Sequence, residues 1–401
     1  MPFAYLFERF PSFTQTFCYR EVLEMRRQGV AAPIYSIRVP KDLPADCPEE
    51  LARAVRYLPE PDALALEMKT LRLLGRYPWK VIRTLRGWGK RPDKGRVLAA
   101  AWLGKRLQAQ GVRHVHAHFA GIAARTAYWI KEFYGISFSF TGHANDMFVA
   151  TDFPVQLGDL VREAAFVVTV SDFTRDWLTR RHPDHAAKIH RVYNGIGAAG
   201  FLQPNPALGR PRLVSIGRCI EKKGFADLID ACALLRDRGL DFECAIIGGG
   251  PLEEPLRARI AERGLQGTVS LSGPQPQEEI RRLLSEARVF VLACATEPDG
   301  GMDTLPTVII EAMAAGLPVV STRLAAVPEM VAHGVTGLLV DQKQPHQLAD
   351  ALETLLRDPT LGERFGVCGK AAAAEHFAAE VTVAELRKLL EVSRECRPQG
   401  K

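Results

Sequence analysis

The sequence predicts an α/β protein of two doubly wound domains in series. Short apolar runs alternate with helical stretches from Pro2 to Val192, a turn-rich break follows, and the same alternation then resumes. Strands that alternate with helices pair into a parallel sheet covered on both faces. A length of 401 residues allows two domains, each large enough to bury its own core.

In the first half, Pro2–Phe7 reads as a strand, Phe17–Gln28 as a helix stopped by Gly29, and Ile34–Val39 as a second strand. After a long basic region come Val112–His118, Ser137–Thr141, Phe166–Val170 and Ile189–Val192, each strand-like and each followed by a polar turn or helix. The break lies at Asn194–Pro211, rich in Gly, Pro and Asn. In the second half, strands are expected at Leu213–Ile216, Cys244–Ile247, Val269–Leu271, Val289–Leu292, Val319–Val320 and Gly337–Val340, with a helix over Phe225–Arg238. The domains are expected at 1–198 and 207–375, with 376–401 as a closing helical segment.

Hydrophobic content of 47% and charged content of 24% fit a water-facing globular chain. Eight cysteines stand singly, with no Cys-x-x-Cys, which favours free thiols in a reducing compartment. Glu8, Arg9 and Pro11 interrupt the first apolar stretch, so it does not read as a signal peptide, and no run is long enough to span a membrane. A cytoplasmic location is therefore expected.

The net charge of +6 is uneven, with +10 on residues 1–200 and −4 on the rest. Much of the excess lies between Lys69 and Arg106, where basic residues interleave with Trp79, Trp88 and several leucines. Such a stretch suits an anionic membrane surface on the inner face of the cytoplasmic membrane; it equally suits a solvated helix pair that covers a core. Nucleic acid is disfavoured, because no stacking platform or recognition motif accompanies the charge.

The most informative segment runs from Glu297 to Thr322. Thr304 reads as an N-cap, Pro306 as a first-turn residue, and the run to Ala315 as an apolar helix stopped by Gly316. Asp303 would then stand at a helix N-terminus, with the amides of Thr304 and Leu305 free to bind an anion. Glu311 sits among Ile309, Ile310, Ala312 and Met313 with no polar face to join. A carboxylate in that setting needs a hydrogen-bonding ligand. A nucleotide sugar supplies both the anion and the hydroxyls.

Arg218 and Lys223, in Ser215-Ile-Gly217-Arg218-Cys-Ile-Glu-Lys-Lys223-Gly, follow the first strand of the second series, where doubly wound sheets bind ligands. Two fixed cations there would neutralise a departing pyrophosphate without a metal. Gly248 and Gly250 form a glycine turn after the next strand, but Glu253 stands where a dinucleotide fingerprint needs its third glycine. In the first half, His114, His116 and His118 share one strand face. A metal is conceivable, yet no carboxylate or cysteine is near in sequence to complete a ligand set. Ser139-Phe-Thr141-Gly-His143-Ala-Asn145-Asp146 ends the next strand.

Asp303 and Glu311, with seven residues between them and followed by Ala-Met-Ala-Ala-Gly-Leu-Pro-Val, resemble the paired-acid motif of retaining GT-B glycosyltransferases, above all glycosyltransferase family 4 of the colanic-acid and exopolysaccharide type. That family usually has Glu at the first acid. The resemblance implies two Rossmann-like domains with the active site in the interdomain cleft and a last helix crossing back over Phe377–Arg394. It implies a UDP- or GDP-linked sugar as co-substrate, no resident cofactor and no metal. The acceptor would be a glycan or lipid-linked saccharide. Gly217, Arg218, Lys223, Gly248 and Gly250 would hold the donor, Asp303 the sugar hydroxyls and Glu311 the ribose.

By the same resemblance, His118 and His143 would face the substrates. Thr14, Gln15, Thr16, Asn145 and Asp146 would lie near the acceptor, with Gln15 in place of the usual Glu. Asn194-Gly195 would act as a hinge, and Glu329 would be structural. A GT-B epimerase or phosphorylase, or an inactive nucleotide-sugar-binding scaffold, are the alternatives. A phosphorylase lacks its cofactor lysine context here, and intact Arg218, Lys223 and Glu311 weigh against the scaffold.

Overall fold

Two all-parallel sheets organise the chain in the computed structural model. The residues described are 3–12, 15–41, 43–44, 47–60, 62–64, 79–87, 93–143, 145–149, 151–197 and 210–392. The chain divides into two units, Met1–Tyr193 with Val383–Lys401, and Asn194–Thr382.

The first sheet has seven strands: β1 (Phe3–Arg9), β2 (Ile34–Arg38), β3 (Val55–Tyr57), β4 (His114–His118), β5 (Ser137–Gly142), β6 (Val167–Thr169) and β7 (Ile189–Arg191). Their order is β3-β2-β1-β4-β5-β6-β7. The chain winds outward from β1 in one direction and then returns to start again at β4, so the sheet reverses between β1 and β4. Alternation along β1 splits the core: Ala4 and Leu6 face one apolar cluster, while Phe3, Tyr5 and Phe7 face another. The first cluster is closed by the helices Lys94–Ala109 and Ile122–Tyr134. The second is closed by Cys18, Tyr19, Val22 and Met25 of the helix Thr16–Arg27, and by Val383, Leu386 and Leu390 of the helix Ala379–Val392.

The second sheet has six strands: β8 (Arg212–Ile216), β9 (Glu243–Ile247), β10 (Val269–Leu271), β11 (Val289–Leu292), β12 (Val319–Thr322) and β13 (Gly337–Val340), in the order β10-β9-β8-β11-β12-β13. Here the reversal falls between β8 and β11. All four residues of β11 are buried, as a central parallel strand requires.

The two sheets are the doubly wound architecture the alternation predicts. Sequence reading passed over β3 and the helix Glu49–Ala54, both short and at the sheet edge. Of the basic stretch, Lys69, Arg72, Arg76, Trp88, Lys90 and Arg91 lie outside the described residues. In the helix Trp79–Gly87, Val81 is buried in the core while Lys80 and Arg83 are exposed, and Trp79 is 64% exposed. Among the described residues, no helix is long and apolar enough to cross a membrane.

Candidate functional site

In an open parallel sheet, ligands bind beyond the carboxyl ends of the strands where the winding reverses. In the second unit that point lies between β8 and β11. The loop after β8 carries Gly217, Arg218, Lys222 and Lys223, and the loop after β11 carries Asp303. Lys222 Nζ lies 3.2 Å from Asp303 Oδ1, and Lys223 Nζ lies 2.5 Å from Oδ2. Their side chains are only 9%, 13% and 18% exposed. Burial alone would push the Asp303 carboxyl up, but Lys223 and Lys222 outweigh it and hold the pKa below the usual carboxylate range. Burial likewise opposes the Lys223 charge, and Asp303 overcomes it, so that ammonium titrates above its ordinary value. The cluster holds two cations against one carboxylate.

Backbone contacts fix these loops. The Ala295 amide donates to the Lys222 carbonyl at 3.1 Å. Gly224 has φ +62°, and a Cβ there would fall 1.7 Å from the Ala293 carbonyl oxygen, so no other residue fits. Gly248, at φ +134°, sits against the Gly217 carbonyl with the same lack of room. Gly250 packs on Cys219 in the same turn. Arg218 is exposed at the rim, close enough for its charge to oppose that of Lys223.

The helix after Asp303 begins later than its sequence suggests. It spans Thr307–Ala314, and its N-cap is Pro306, with an extended ψ of 97° and no side-chain cap. Thr304 and Leu305 are buried residues of the preceding loop. The cause is Pro306 itself: a proline drives the residue before it out of the helical region, so Leu305 cannot open a helix. Asp303 is therefore held by lysines and not by the helix N-terminus, and the Thr304 and Leu305 amides are not first-turn amides. Glu311 is the fifth helical residue, one turn in, and 6% exposed between buried Ile310 and Ala312. In the loop that leads to Asp303, Asp299 accepts from the Gly301 amide at 2.8 Å, which closes a turn.

The reversal point of the first unit has a different chemistry. His114 and His116 form a ladder with hydroxyls of β5: His114 Nε2 to Ser139 Oγ at 2.7 Å, Ser139 Oγ to His116 Nδ1 at 2.8 Å, and His116 Nε2 to Thr141 Oγ1 at 3.1 Å. Burial lowers the His114 pKa to about 4 and takes His116 well below its ordinary value, helped by the neighbouring imidazoles. At the carboxyl end of the ladder, His118 Nδ1 lies 3.2 Å from His143 Nε2 and 3.7 Å from Cys18 Sγ. His118 Nε2 lies 3.1 Å from Glu21 Oε1. Cys18 and Glu21 come from the helix Thr16–Arg27, about a hundred residues earlier, which packs over this face. His118 and His143 are 1% and 7% exposed. Phe119, between them in the chain, adopts a left-handed φ of 70°, a strained conformation for an aromatic residue.

Around this pair, the Asp146 carboxylate accepts from the Ala120 amide at 2.8 Å and the His143 amide at 3.1 Å, so it ties the ends of β4 and β5 together. Gln15 is the N-cap and Thr16 the first residue of the helix carrying Cys18 and Glu21. Thr14 lies outside the described residues, as does the side chain of Asn145. Sequence reasoning missed Lys222, Cys18 and Glu21. Lys222 had a local signal in Glu-Lys-Lys-Gly; the other two had none, since only the winding of the sheet brings them to His118.

In the second unit, buried cations stand at the reversal point, the place where open parallel sheets bind ligands. Residues 15–199 match the family described as Glycosyltransferase Family 4, and residues 202–372 match Glycosyl transferases group 1. The chain belongs to this family of GT-B glycosyltransferases. Over 208 residues it is 38% identical to the amylovoran biosynthesis glycosyltransferase AmsK of Erwinia amylovora, covering 51% of each chain. It is 35% identical over 247 residues to a GDP-mannose-dependent alpha-(1-6)-phosphatidylinositol monomannoside mannosyltransferase of Mycolicibacterium smegmatis, covering 59% of this chain and 64% of that one. The chain thus spans about half the length of the first of these relatives. The crystal structure of Anabaena Alr3699/HepE in complex with UDP superposes with a TM-score of 0.75 at 16% identity, over 98% of this chain and all of that one, a likeness of fold.

Proposed function

We propose that this protein is a retaining glycosyltransferase that moves a sugar from a nucleoside diphosphate to a saccharide acceptor, glycan or lipid-linked, in polysaccharide synthesis. The observation that carries the reading is the buried Lys222–Asp303–Lys223 cluster at the reversal point of the second unit. Two lysines held by one carboxylate retain a positive surplus, and Arg218 adds to it at the rim. A diphosphate is the ligand such a surplus suits, because negative charge grows on it as the sugar departs. Gly217, Gly248 and Gly250 let the backbone approach the nucleotide, and Glu311 takes its ribose hydroxyls. Asp303 orients the sugar while it fixes the lysines. On the first unit, we assign His118 and His143 to the sugar, and Gln15 and Thr16 to the acceptor.

Retention follows from front-side attack, in which the leaving phosphate oxygen accepts the proton of the acceptor hydroxyl. The protein then needs no base, and the lysines take the place of a divalent ion at the diphosphate. The names of the relatives support a UDP- or GDP-linked donor and an exopolysaccharide or glycolipid product. The exposed Trp79, Lys80 and Arg83 support attachment to an anionic cytoplasmic membrane that carries the acceptor.

A panel of UDP-, GDP- and ADP-sugars tests the reading. The correct donor at about a hundred times its Kd should stabilise the protein by roughly 2.7 kcal/mol. Product NMR should show the donor's anomeric configuration, and turnover should not rise on addition of magnesium or manganese. Nucleotide binding with no turnover on any acceptor would favour an inactive scaffold. Equal, negligible sedimentation with anionic and neutral liposomes at low salt would remove the membrane surface.

A further inference from the structure

The cluster at the reversal point of the first unit has a second use that the transfer reaction does not require. His118 Nε2 faces Glu21, an acceptor, at 3.1 Å, and its other ring nitrogen, Nδ1, which carries a lone pair in the neutral ring, faces His143 Nε2 and Cys18 Sγ. The three atoms, one sulfur and two nitrogens, all lie within 4.8 Å of one another and are buried. Zinc bonds of about 2.0–2.1 Å to nitrogen and about 2.3 Å to sulfur, set at the tetrahedral angle, place two nitrogens roughly 3.4 Å apart and sulfur and nitrogen roughly 3.6 Å apart. The separations here are 3.2 Å and 3.7 Å. A histidine ligand whose other ring nitrogen is held by a carboxylate is the usual second-shell arrangement of a protein zinc site, and Glu21 supplies it.

We infer that Cys18, His118 and His143 form a binding site for one thiophilic divalent cation of the zinc class, and that filling it withdraws both histidines from the sugar. The donor set selects the ion: one thiolate and two imidazoles suit zinc and cobalt and disfavour magnesium, calcium and manganese. Three protein ligands leave a fourth position for water. On binding, the Cys18 thiol proton passes to solvent, and the proton on His143 Nε2 gives way to the metal, leaving its ring protonated at Nδ1. The second half of the inference rests on the proposed role of the histidines in transfer; the first half does not.

The test is a titration of the full-length, metal-stripped protein with cobalt chloride, followed by absorption. One equivalent should produce tetrahedral visible bands and a thiolate-to-cobalt charge-transfer band. Cys18→Ser should abolish the charge-transfer band. Glu21→Gln, at a partly exposed position that spares the core, should weaken affinity roughly 10–100-fold with the band retained. A charge-transfer band that persists in Cys18→Ser would assign the ion to another cysteine, and the absence of any band in the parent would leave only a hydrogen-bonded cluster; either overturns the site. In the transfer assay, equimolar zinc should slow the parent, and Cys18→Ser should need at least ten times more. Equal zinc sensitivity would overturn the competition. A protein with no transfer activity would refute the transferase reading while the cobalt titration still stood.

Discussion

The two reversal points occupy the same place in two similar sheets and are built from opposite materials. Between β8 and β11 the protein buries formal charge, with two lysines on one aspartate. Between β1 and β4 it buries imidazoles, hydroxyls and a thiol. Topology supplies the position, and the side chains decide what binds. A buried ion cluster suits a ligand whose charge changes little with pH, whereas a nest of imidazoles responds to protons and to metals.

Acid separates the two regions most strongly. Buried bases with depressed pKa values stabilise the fold above their unfolded pKa of about 6.5, and that stability is lost as pH falls toward the folded value. His114, at about 4 in the fold, should by itself cost the first unit about 2 kcal/mol near pH 5. His116 and His143, lowered further by burial, act in the same direction. For the second unit, Asp303 is depressed below the carboxylate range and Lys223 raised above the lysine range, so their pair holds throughout mild acid and neutral pH. Hydrogen exchange at pH 7 and pH 5 should show the first unit loosening and the second unchanged. Equal loosening of both would break the comparison.

Asp303→Asn attacks the charged side. Removing one partner of a buried ion pair costs about 3–5 kcal/mol, here because two lysines lose their carboxylate. Thermal unfolding should show the second unit melting earlier, with part of the loss restored by a nucleoside diphosphate. A variant as stable as the parent would mean the lysines reach water. Glu311→Gln should leave the melting curve in place and weaken donor binding by about 1.5–3 kcal/mol, roughly ten- to a hundredfold by calorimetry. Arg218→Ala should have the smallest effect. Its exposed charge is screened and worth less than about 1 kcal/mol, so KM should rise a few-fold, and less at high salt. Combined with Lys223→Ala, its effect should not add, since both act on one diphosphate.

What the sequence disclosed follows from this contrast. Strands announced themselves because central parallel strands are buried on both faces, as in Val289–Leu292. Gly217, Arg218 and Lys223 were legible as candidates because glycines and cations cluster within one strand-to-helix turn, from Gly217 to Gly224. Local chemistry misled once, at Pro306, where the effect of a proline on the residue before it outweighed its fitness for a first helical turn. The histidine cluster was only half legible. Strand alternation places His114, His116 and His118 on one face, but no cysteine or carboxylate lies near them in sequence to complete a metal-ligand set. In a doubly wound sheet β1 and β4 are neighbours despite the long crossover between them, so the missing groups were waiting on the helix that follows β1.

Gly224 has a further effect. Its contact with the Ala293 carbonyl and the Ala295–Lys222 hydrogen bond rivet the loop after β8 to the loop after β11. The lysines and Asp303 therefore do not have to find one another when a ligand arrives; folding has already aligned them. A polar liquid must reorient its dipoles around a growing charge, and that reorientation is a large part of a reaction barrier. A riveted pair of loops acts as a solvent frozen in the orientation the charged state needs. A single methyl group at residue 224, touching no ligand, would let that solvent thaw.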